Sequence, residues 1–342
     1  MTRIYLVRHA EAEGNLYRIA HGHYNGLITA RGYKQIEVLR RRFEHIPIDA
    51  VYSSDLFRTR TTAKAVYLPK GLALHTDPNL REVNMGVWEG QTWQQLRMED
   101  EERIVDFNRH LDRWQVPGGE TAQQVLDRFI PALTRIAQEN DGKTVAVFSH
   151  GAALRIVLGT LEGRPLSELG STPHGDNTAI SLLEYDEDGF AVLYRYDNHH
   201  LIDAYLSTFS KHKWWKDERM LESDMYYLPM TDKEREALGI SPEGEAIAVL
   251  HGDELAGGLQ LLPWEEPGVG WIGYYGLLPQ WRGLGRGIAP LGQAVQYYRA
   301  RGVDRIRLRC PDEKTEGFFR HYGFEKTPEG DMELYIGYGE DA

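Results

Sequence analysis

At 342 residues the chain is longer than one compact core usually becomes, which favours two domains. The formal net charge is -12, and residues 1–202 and 203–342 are each acidic, which argues against a nucleic-acid-binding protein. A single cysteine, Cys310, excludes an internal disulfide and a cysteine-rich zinc site. No run of about eighteen apolar residues occurs, and charge returns at Arg8, too early for a signal peptide. We therefore expect a soluble, cytoplasmic protein with no membrane partner.

The first 200 residues alternate between short apolar runs and helix-like patterns. Three apolar runs rich in β-branched residues predict buried strands: 4–7, 51–53 and 144–148. Helical spacing is found at 29–43 and 55–66, with Thr29 and Asp55 as the predicted N-caps. Residues 179–185 and 190–196 flank a turn rich in Asp and Gly and predict an antiparallel hairpin. This order predicts a three-layer α/β/α domain with a mostly parallel sheet over residues 1–205.

The pattern changes after this domain. Residues 206–221 are charged and aromatic without clear periodicity, so we interpret them as a connector whose Trp214 and Trp215 dock on one domain. A new alternation of strand and helix patterns begins near Met225, where the only helix candidate before a glycine-rich turn is 232–238. Residues 222–342 are therefore predicted to form a second α/β domain with a mixed sheet.

Polar residues follow the predicted strands of the first domain in five separate segments. They are Leu6-Val7-Arg8-His9-Ala10-Glu11-Ala12-Glu13-Gly14-Asn15, Ser53-Ser54-Asp55-Leu56-Phe57-Arg58-Thr59, Leu80-Arg81-Glu82 with the following 83–90, Pro117-Gly118-Gly119-Glu120-Thr121, and Ser149-His150-Gly151. In an α/β sheet, the chemistry collects at the carboxyl ends of the strands. In content and order, these segments resemble the motifs of the histidine phosphatase, or phosphoglycerate-mutase-like, superfamily over roughly residues 1–200.

The resemblance implies a phosphoric monoester hydrolase of the histidine acid type, which needs no metal ion. His9 would attack phosphorus as a neutral imidazole and form a phosphohistidine, and Glu82 would protonate the leaving oxygen and then activate water. Arg8 and Arg58 would hold the phosphate, because a guanidinium forms forked, charge-assisted hydrogen bonds to phosphate oxygens. The remaining predicted contacts to the small phosphorylated substrate are His150, Asn15 and Gly151.

Several alternatives remain open at this point. Glu89 lies close enough to Glu82 in sequence to be the acid instead, although motif alignment favours Glu82. Phosphoglycerate-mutase-type phosphotransfer would use the same phosphohistidine, but the family's mutases carry extra sequence before the His150 motif, and this domain is short. A phospholigand sensor without catalysis is the alternative from another class. The remaining histidines are expected at the pocket rim or surface: His21, His23, His174, His199 and His200.

The second domain contains the run Gln280-Trp281-Arg282-Gly283-Leu284-Gly285, which resembles motif A of the GNAT superfamily of N-acetyltransferases. The resemblance implies that backbone amides bind the pyrophosphate of acetyl-CoA, with this set of contacts: Leu277, Gln280, Arg282, Gly283, Leu284, Gly285, Arg286 and Gly287. Acyl transfer would be a second activity. Phe319 stands where many members have a tyrosine that protonates the thiolate, and Tyr322 or His321 could replace it. Pro290 lies inside the expected helix, which must be kinked or start late.

Overall fold

The structure is a computed structural model that describes residues 1–211, 225–263, 266–283 and 285–339, with the backbone alone at 210 and 211. Trp214, Trp215 and Leu284 lie outside the described residues, so their predicted roles stay predictions. The chain forms two compact units. The first contains 1–12, 20–91 and the described residues from 96 to 211, and the second contains 13–19, 92–95 and the described residues from 225 onward.

The first unit is built on a six-stranded sheet in the order β3-β2-β4-β1-β5-β6. Its strands are β1 Thr2–Arg8, β2 Ala50–Ser53, β3 Leu74–Thr76, β4 Thr144–Ser149, β5 Ile180–Asp186 and β6 Gly189–Asp197. Strands β3, β2, β4 and β1 run parallel, whereas β5 is antiparallel to β1 and forms a hairpin with β6. The mostly parallel sheet and the closing hairpin of the sequence prediction are confirmed.

Helices cover both faces of this sheet. The helices of this unit are α2 Ala30–Phe43, α3 Phe57–Tyr67, α4 Trp93–Glu99, α5 Glu101–Arg109, α6 Ala122–Glu139, α7 Gly151–Leu161, α8 His199–Asp203 and α9 Thr208–Lys211, and the first three residues of α4 group with the second unit. Val7 of β1 packs with Leu39 and Phe43 of α2. Ile4 and Leu6, which alternation points to the opposite face, are fully buried in a strand contacted by α6 and α7. The layers are therefore helix, sheet and helix.

The two predicted N-caps have different outcomes. Thr29 caps α2 as predicted, with its side chain accepting a hydrogen bond from the Gly32 amide. The prediction for Asp55 is wrong, because α3 begins at Phe57 and its N-cap, Leu56, has no side-chain hydrogen bond. Asp55 instead forms a forked ion pair with Arg81, at 2.6 and 2.5 Å.

The second unit has a seven-stranded mixed sheet in the order β12-β13-β11-β10-β9-β8-β7. Its strands are β7 Tyr226–Pro229, β8 Glu245–His251, β9 Glu254–Leu262, β10 Val269–Leu277, β11 Arg305–Leu308, β12 Glu325–Lys326 and β13 Met332–Tyr335. Its helices are α1 Glu13–Tyr17, α10 Asp232–Leu238, α11 Leu291–Arg299 and α12 Glu313–His321. Strands β10 and β11 are parallel, and the other neighbours pair antiparallel.

The glycine-rich turn of this unit leads into a late-starting helix. Helix α11 begins at Leu291, directly after Pro290, so the proline lies outside the hydrogen-bonded helix interior. Between the turn and α11 the chain makes i→i+3 hydrogen bonds, from Ala289 to Arg286 and from Leu291 to Ile288. Of the two conformations expected for Pro290, the late start is the one observed. No helix among the described residues is long and apolar enough to cross a bilayer.

Candidate active site

His9 directly follows β1 and is almost fully buried, with 3% of its surface exposed. Its Nδ1 lies 2.7 Å from the carbonyl oxygen of Ala10, so Nδ1 carries the proton and Nε2 keeps its lone pair. Burial, together with the positive charges of Arg58 and Arg8, lowers the pKa of His9 well below its usual 6.5. The imidazole is therefore neutral and carries a free nitrogen lone pair, as a nucleophile requires.

Arg8 ends β1, and its guanidinium lies against Gly151 at the start of α7. Its Nη1 donates to the carbonyl oxygen of Gly175 at 2.6 Å. A Cβ at Gly151 would lie 3.0 Å from Nε and 3.1 Å from Cζ of Arg8, so the absence of a side chain there makes room for the cation. Nε is buried and has no acceptor among the described residues. A buried cationic donor without an acceptor is costly, and an anion bound at this point would satisfy it.

Arg58, in the first turn of α3, is fully buried. It donates to three neighbours: Nε to Nδ1 of His150 at 3.1 Å, Nη1 to the Tyr24 carbonyl at 2.9 Å and Nη2 to the Gly22 carbonyl at 2.7 Å. Burial lowers the pKa of Arg58 to about 10, so the group is still a cation at neutral pH. Within the described parts of the chain, neither Arg58 nor Arg8 donates a hydrogen bond to a carboxylate.

His150 follows β4 and is fully buried, with its ring centroid 5.4 Å from that of His9. Its Nδ1 accepts from Arg58, so Nε2 carries the proton, which it donates to Ser54 Oγ at 2.9 Å. Burial and then the charge of Arg58 lower the pKa of His150 well below its usual value. The structure thus contains a neutral imidazole at the predicted third donor, with its one N–H directed at Ser54.

Glu82 holds its carboxylate at the N-terminus of α7. Oε1 accepts from the amides of Val83 at 3.0 Å and Ala153 at 2.7 Å, and Oε2 accepts from the amide of Ala152 at 3.1 Å. The negative charge acts on both guanidinium groups, since it raises the pKa of Arg8 and of Arg58 against the larger opposite effect of burial. Glu82 and the residue pair Arg8 and Arg58 are therefore brought together as the sequence predicts.

Glu89, the alternative acid, has a structural task. Its Oε1 accepts from the amide of His23 at 2.7 Å and from the amide of Met85 at 3.1 Å. These bonds tie the loop at Gly22, which has φ +49° and no room for a Cβ beside Glu89, to the turn at Met85. Both Glu82 and Glu89 thus accept from backbone amides, and the choice of Glu82 as the acid stays a prediction.

Two polar residues of the segment after β1 have different standings. Asn15 is half-buried in α1, which groups with the second unit, so its predicted contact with phosphate stays a prediction. Glu11 is 2% exposed, and its Oε1 accepts from Thr29 Oγ1 at 2.7 Å. Its Oε2 lies 3.8 Å from Arg31. Glu11 therefore belongs to the polar core beneath the loop and not to the phosphate site.

The sequence did not identify the loop that supports Arg8 and His9. Asn177 donates from Nδ2 to the His9 carbonyl at 3.0 Å, and Gly175 accepts from Arg8. Between them, Asp176 accepts from Ser207 Oγ at 2.5 Å. The run Gly175-Asp176-Asn177 matches no predicted motif, although its buried Asp and Asn before a strand were a visible signal.

His21 also lies nearer the nucleophile than its expected rim position required. Its ring centroid is 6.4 Å from that of His9, and it stacks on Tyr24 at 6.0 Å. Burial and then the charges of Arg58 and Arg8 lower its pKa well below the usual value. His23 donates from Nε2 to the Glu82 carbonyl oxygen at 2.9 Å. His174 and His199 are exposed and His200 is half-buried.

In the second unit the predicted cofactor contacts surround one open strand edge. Strand β10 pairs with β11 only from Val269 to Ile272, whereas its pairing with β9 continues to Leu277. A register shift between Ile272 and Tyr274 bends the strand at that point. Within the described residues, the backbone from 273 to 277 has no strand partner on the β11 side, which leaves donors and acceptors for a ligand.

The glycine turn follows this edge. Gly283 and Gly285 have φ of +77° and +74°, conformations that favour glycine. Gln280 and Arg282 are exposed, and Arg282 donates from Nε to the Leu277 carbonyl at 2.7 Å. Gly287 and Arg286 are half-buried, and the Gly287 carbonyl accepts from Tyr275 Oη at 2.6 Å.

Phe319, the departure from the tyrosine pattern, is a core residue. It is 2% exposed and packs edge-on against Tyr275, Phe318 and Phe324 at ring-centroid distances of 5.2, 5.1 and 5.0 Å. Burial raises the pKa of Tyr275 well above its usual value, so this nearby hydroxyl stays protonated. Tyr322 is half-buried and His321 is exposed, so the structure keeps both as possible proton donors.

Two family models match the chain. The model of the histidine phosphatase superfamily (branch 1) matches residues 4–198, and that of the acetyltransferase (GNAT) family matches residues 199–324. The chain therefore combines a histidine phosphatase domain, of the phosphoglycerate-mutase-like kind, with a GNAT domain.

Related proteins and structures match the N-terminal part. The chain is 32% identical over 193 residues to the protein named "Probable phosphoglycerate mutase GpmB" from Yersinia enterocolitica, covering 55% of this chain and 86% of that one. The structure of YhfR from Bacillus stearothermophilus is 28% identical with a TM-score of 0.57, covering 59% of this chain and 100% of that one. The alpha-ribazole phosphatase from Shigella flexneri is 24% identical with a TM-score of 0.52, covering 57% and 96% of the two chains, and shows the fold alone.

Proposed function

The chain belongs to the histidine phosphatase superfamily, and from that premise we propose that its first unit hydrolyses small phosphomonoesters through a phosphohistidine on His9. One observation carries the proposal. A neutral, buried His9 adjoins two buried guanidinium groups that make no hydrogen bond to a carboxylate in the described residues, and one of these groups has a buried N–H without an acceptor. A phosphate dianion would supply the missing negative charge, and His9 would then be next to the phosphorus atom.

In the first step, Nε2 of His9 attacks phosphorus while the ester P–O bond breaks. Glu82 gives its proton to the leaving oxygen, so the alcohol departs neutral. Arg8 and Arg58 hold the non-bridging oxygens, whose charge is greatest in the transition state. The hydrogen bond from Nδ1 to the Ala10 carbonyl stabilises the positive charge that develops on the ring.

In the second step, the Glu82 carboxylate takes a proton from water, and the water attacks the phosphohistidine. The P–N bond breaks, inorganic phosphate leaves, and His9 returns to its neutral form. The three amides that hold the carboxylate keep its oxygens in one place for both steps. The protein's own cations supply the charge stabilisation in this scheme, so we expect activity without an added metal ion.

Hydrolysis is favoured here over phosphotransfer between the positions of a sugar acid. A mutase must keep water out while its intermediate turns over. In this chain α6 is joined to β4 by residues 140–143 alone, so no additional segment lies between these two elements directly before the His150 motif. The curated relatives named as phosphoglycerate mutases make the alternative a necessary arm of the test.

The test uses p-nitrophenyl phosphate and 3-phosphoglycerate. We expect p-nitrophenol release that a chelator does not reduce and that His9→Ala lowers by at least about 10³-fold, as for loss of a covalent nucleophile. Phosphorus NMR of the 3-phosphoglycerate reaction distinguishes the alternatives, because isomerised ester without inorganic phosphate would indicate a mutase. Binding of phosphate without turnover of either compound would favour the sensor.

We further propose that the second unit binds acetyl-CoA and transfers its acetyl group to an amine. The open edge of β10 could pair with an extended, amide-containing ligand, and the amides of the glycine turn could bind a pyrophosphate. Transfer needs a proton donor for the departing thiolate, and because Phe319 has no ionisable proton, Tyr322 or His321 would have to supply it. Isothermal titration with acetyl-CoA tests binding, and no heat at tens of micromolar protein would contradict it.

A further inference from the structure

The segment Pro117-Gly118-Gly119-Glu120-Thr121 has no part in the two chemical steps, although it is one of the five motifs. Thr121 forms a capping box with Gln124 at the start of α6. Glu120, one residue before it, bonds to a loop amide and to a side chain of the same helix. Its Oε2 accepts from the Asn84 amide at 2.8 Å, and both carboxylate oxygens accept from Arg128, at 2.7 and 2.9 Å.

Arg128 uses the rest of its guanidinium on the backbone that leads into the proposed acid. Nη1 donates to the carbonyls of Asn79 and Arg81, at 2.7 and 3.0 Å, and Nη2 donates to the carbonyl of Glu82 at 2.8 Å. With the two bonds to Glu120, all five N–H donors of the side chain have acceptors. A planar group with every donor in use has a single orientation, so it fixes the three carbonyls relative to α6.

Glu82 is consequently held from two sides. Its carboxylate is bound by the amides of Ala152 and Ala153 on α7, and its own carbonyl is bound by Arg128 on α6 as well as by His23. The first contact sets where the carboxylate points, and the second sets where its backbone lies. The acid is therefore positioned by two helices that also flank β1.

The ion pair is stable over a wide pH range. Burial acts to raise the pKa of Glu120, but the hydrogen bonds from Arg128 and the Asn84 amide outweigh burial and lower that pKa below its usual value. Both partners are mostly shielded, with 16% and 21% of their side chains exposed. Such a forked, shielded pair is the kind of ion pair whose geometry persists.

We propose that Arg128, oriented by Glu120, is a positioning residue for the general acid Glu82. The inference rests on the proposed function, because it needs Glu82 to be the proton donor. A displacement of about 1 Å in a catalytic group can lower the rate on the order of 10²-fold. In the first step, which kcat/KM reports, only reactions whose leaving group needs a proton are sensitive to the position of the acid.

The test compares two substrates in Arg128→Gln. For n-propyl phosphate, whose alkoxide must be protonated, we expect kcat/KM to fall on the order of 10²-fold. For 2,4-dinitrophenyl phosphate, whose phenolate leaves unprotonated, we expect kcat/KM to be nearly unchanged. Arg128→Lys, which keeps the charge but loses the fork, should recover part of the loss for the alkyl ester.

The matched control is Arg135→Gln on the same helix. Arg135 donates to Asp77 at 2.7 Å and pairs with Glu139, but it does not reach the Glu82 backbone. Arg135→Gln should leave the ratio of kcat/KM between the two substrates unchanged. Thermal unfolding of all variants checks that each one is folded. Equal losses for both substrates in Arg128→Gln would overturn the inference.

Glu82→Gln distinguishes the role of Glu82 as the acid from the role of Arg128 in positioning it. If it shows the dependence on leaving group and Arg128→Gln does not, the positioning role is wrong and the proposed acid stands. If Glu82→Gln itself shows no such dependence, the acid assignment is wrong, and the inference that rests on it is overturned with it.

Discussion

The two units present two kinds of candidate site. In the first, charged and titratable side chains are buried together, with His9, Arg58 and His150 at 3%, 0% and 0% exposure. In the second, the features are backbone ones, namely an unpaired stretch of β10 and a turn with glycines at positive φ. The first site should therefore depend on particular side chains, and the second on backbone conformation.

Among variants that keep His9, the largest effect is expected from a buried arginine of the first site. Arg58→Gln removes one of two cations next to His9, and we expect kcat/KM for p-nitrophenyl phosphate to fall about 10²- to 10³-fold. The control is Arg155→Gln, since Arg155 is 3% exposed and bonds Thr172 and the Gly170 carbonyl. It should lower the free energy of unfolding comparably and leave kcat/KM nearly unchanged. Similar losses of kcat/KM in both variants would mean that Arg58 stabilises the fold and has no direct role in catalysis.

A glycine substitution provides the corresponding test of the second site. Gly285→Ala places a Cβ at φ +74°, and Gly302→Ala places one at φ +75°, and in both cases no described atom beyond the adjacent residues lies within 4 Å. Both should lose about 1–2 kcal/mol of stability from the left-handed conformation. Only Gly285→Ala should weaken the binding of acetyl-CoA. If about one backbone contact is lost, the Kd measured by calorimetry should rise roughly tenfold. If the two glycine variants bind acetyl-CoA with equal affinity, the ligand does not contact the turn at Gly285.

The sequence could predict the side chains of the first site but not its backbone contacts. Arg8, His9 and Arg58 come together as expected, because each lies at the end of a strand or in the first turn of the next helix, and the sheet order brings those ends to one edge. Glu82 follows a short helical turn, Pro78–Leu80, that comes after β3. The Ala10 carbonyl could not be identified, since a backbone acceptor leaves no mark in the sequence.

Other details were decided by tertiary partners. Asp55 is a good N-cap by residue type, but Arg81, which is distant in sequence, takes its carboxylate. Glu11 belongs to the strongest motif and yet bonds to Thr29 in the core. In the second unit, Pro290 limited the helix start to two possibilities, and only the structure distinguishes them.

The buried imidazoles should also make the first unit sensitive to pH. The folded-state pKa values of His9 and His150 lie well below 6.5, whereas the unfolded chain takes up protons on both below about pH 6.5. Lowering the pH from 6.5 to 5.5 should therefore cost stability, up to about 1.4 kcal/mol for each histidine. Amide hydrogen exchange of β1 measures this slope for the first unit.

His9→Ala should reduce the dependence of the free energy of unfolding on pH by the contribution of one histidine, up to about 1.4 kcal/mol per pH unit. His45→Ala, which removes an exposed imidazole of the same unit, should leave the slope as it is. A slope unchanged by His9→Ala would mean that His9 takes up its proton in the folded protein as readily as in the unfolded one.

The smallest effect is expected from a side chain of the second site. Arg282 is exposed and already donates to the Leu277 carbonyl. Because an exposed charge contributes only about 0.2–1 kcal/mol, Arg282→Gln should weaken the binding of acetyl-CoA only a few-fold. The difference should shrink further in high salt. A loss of affinity larger than that of Gly285→Ala would contradict a site made by the backbone.

The central claim, a covalent phosphate on His9, is tested most directly by rapid acid-free quenching of the enzyme with p-nitrophenyl phosphate, followed by mass spectrometry of the peptide that contains residue 9. We predict a phosphorylated peptide that is stable in alkali, lost in acid, and absent from His9→Ala. Turnover of the substrate with no phosphate on His9 at any quench time, or with phosphate on another residue, would contradict the account.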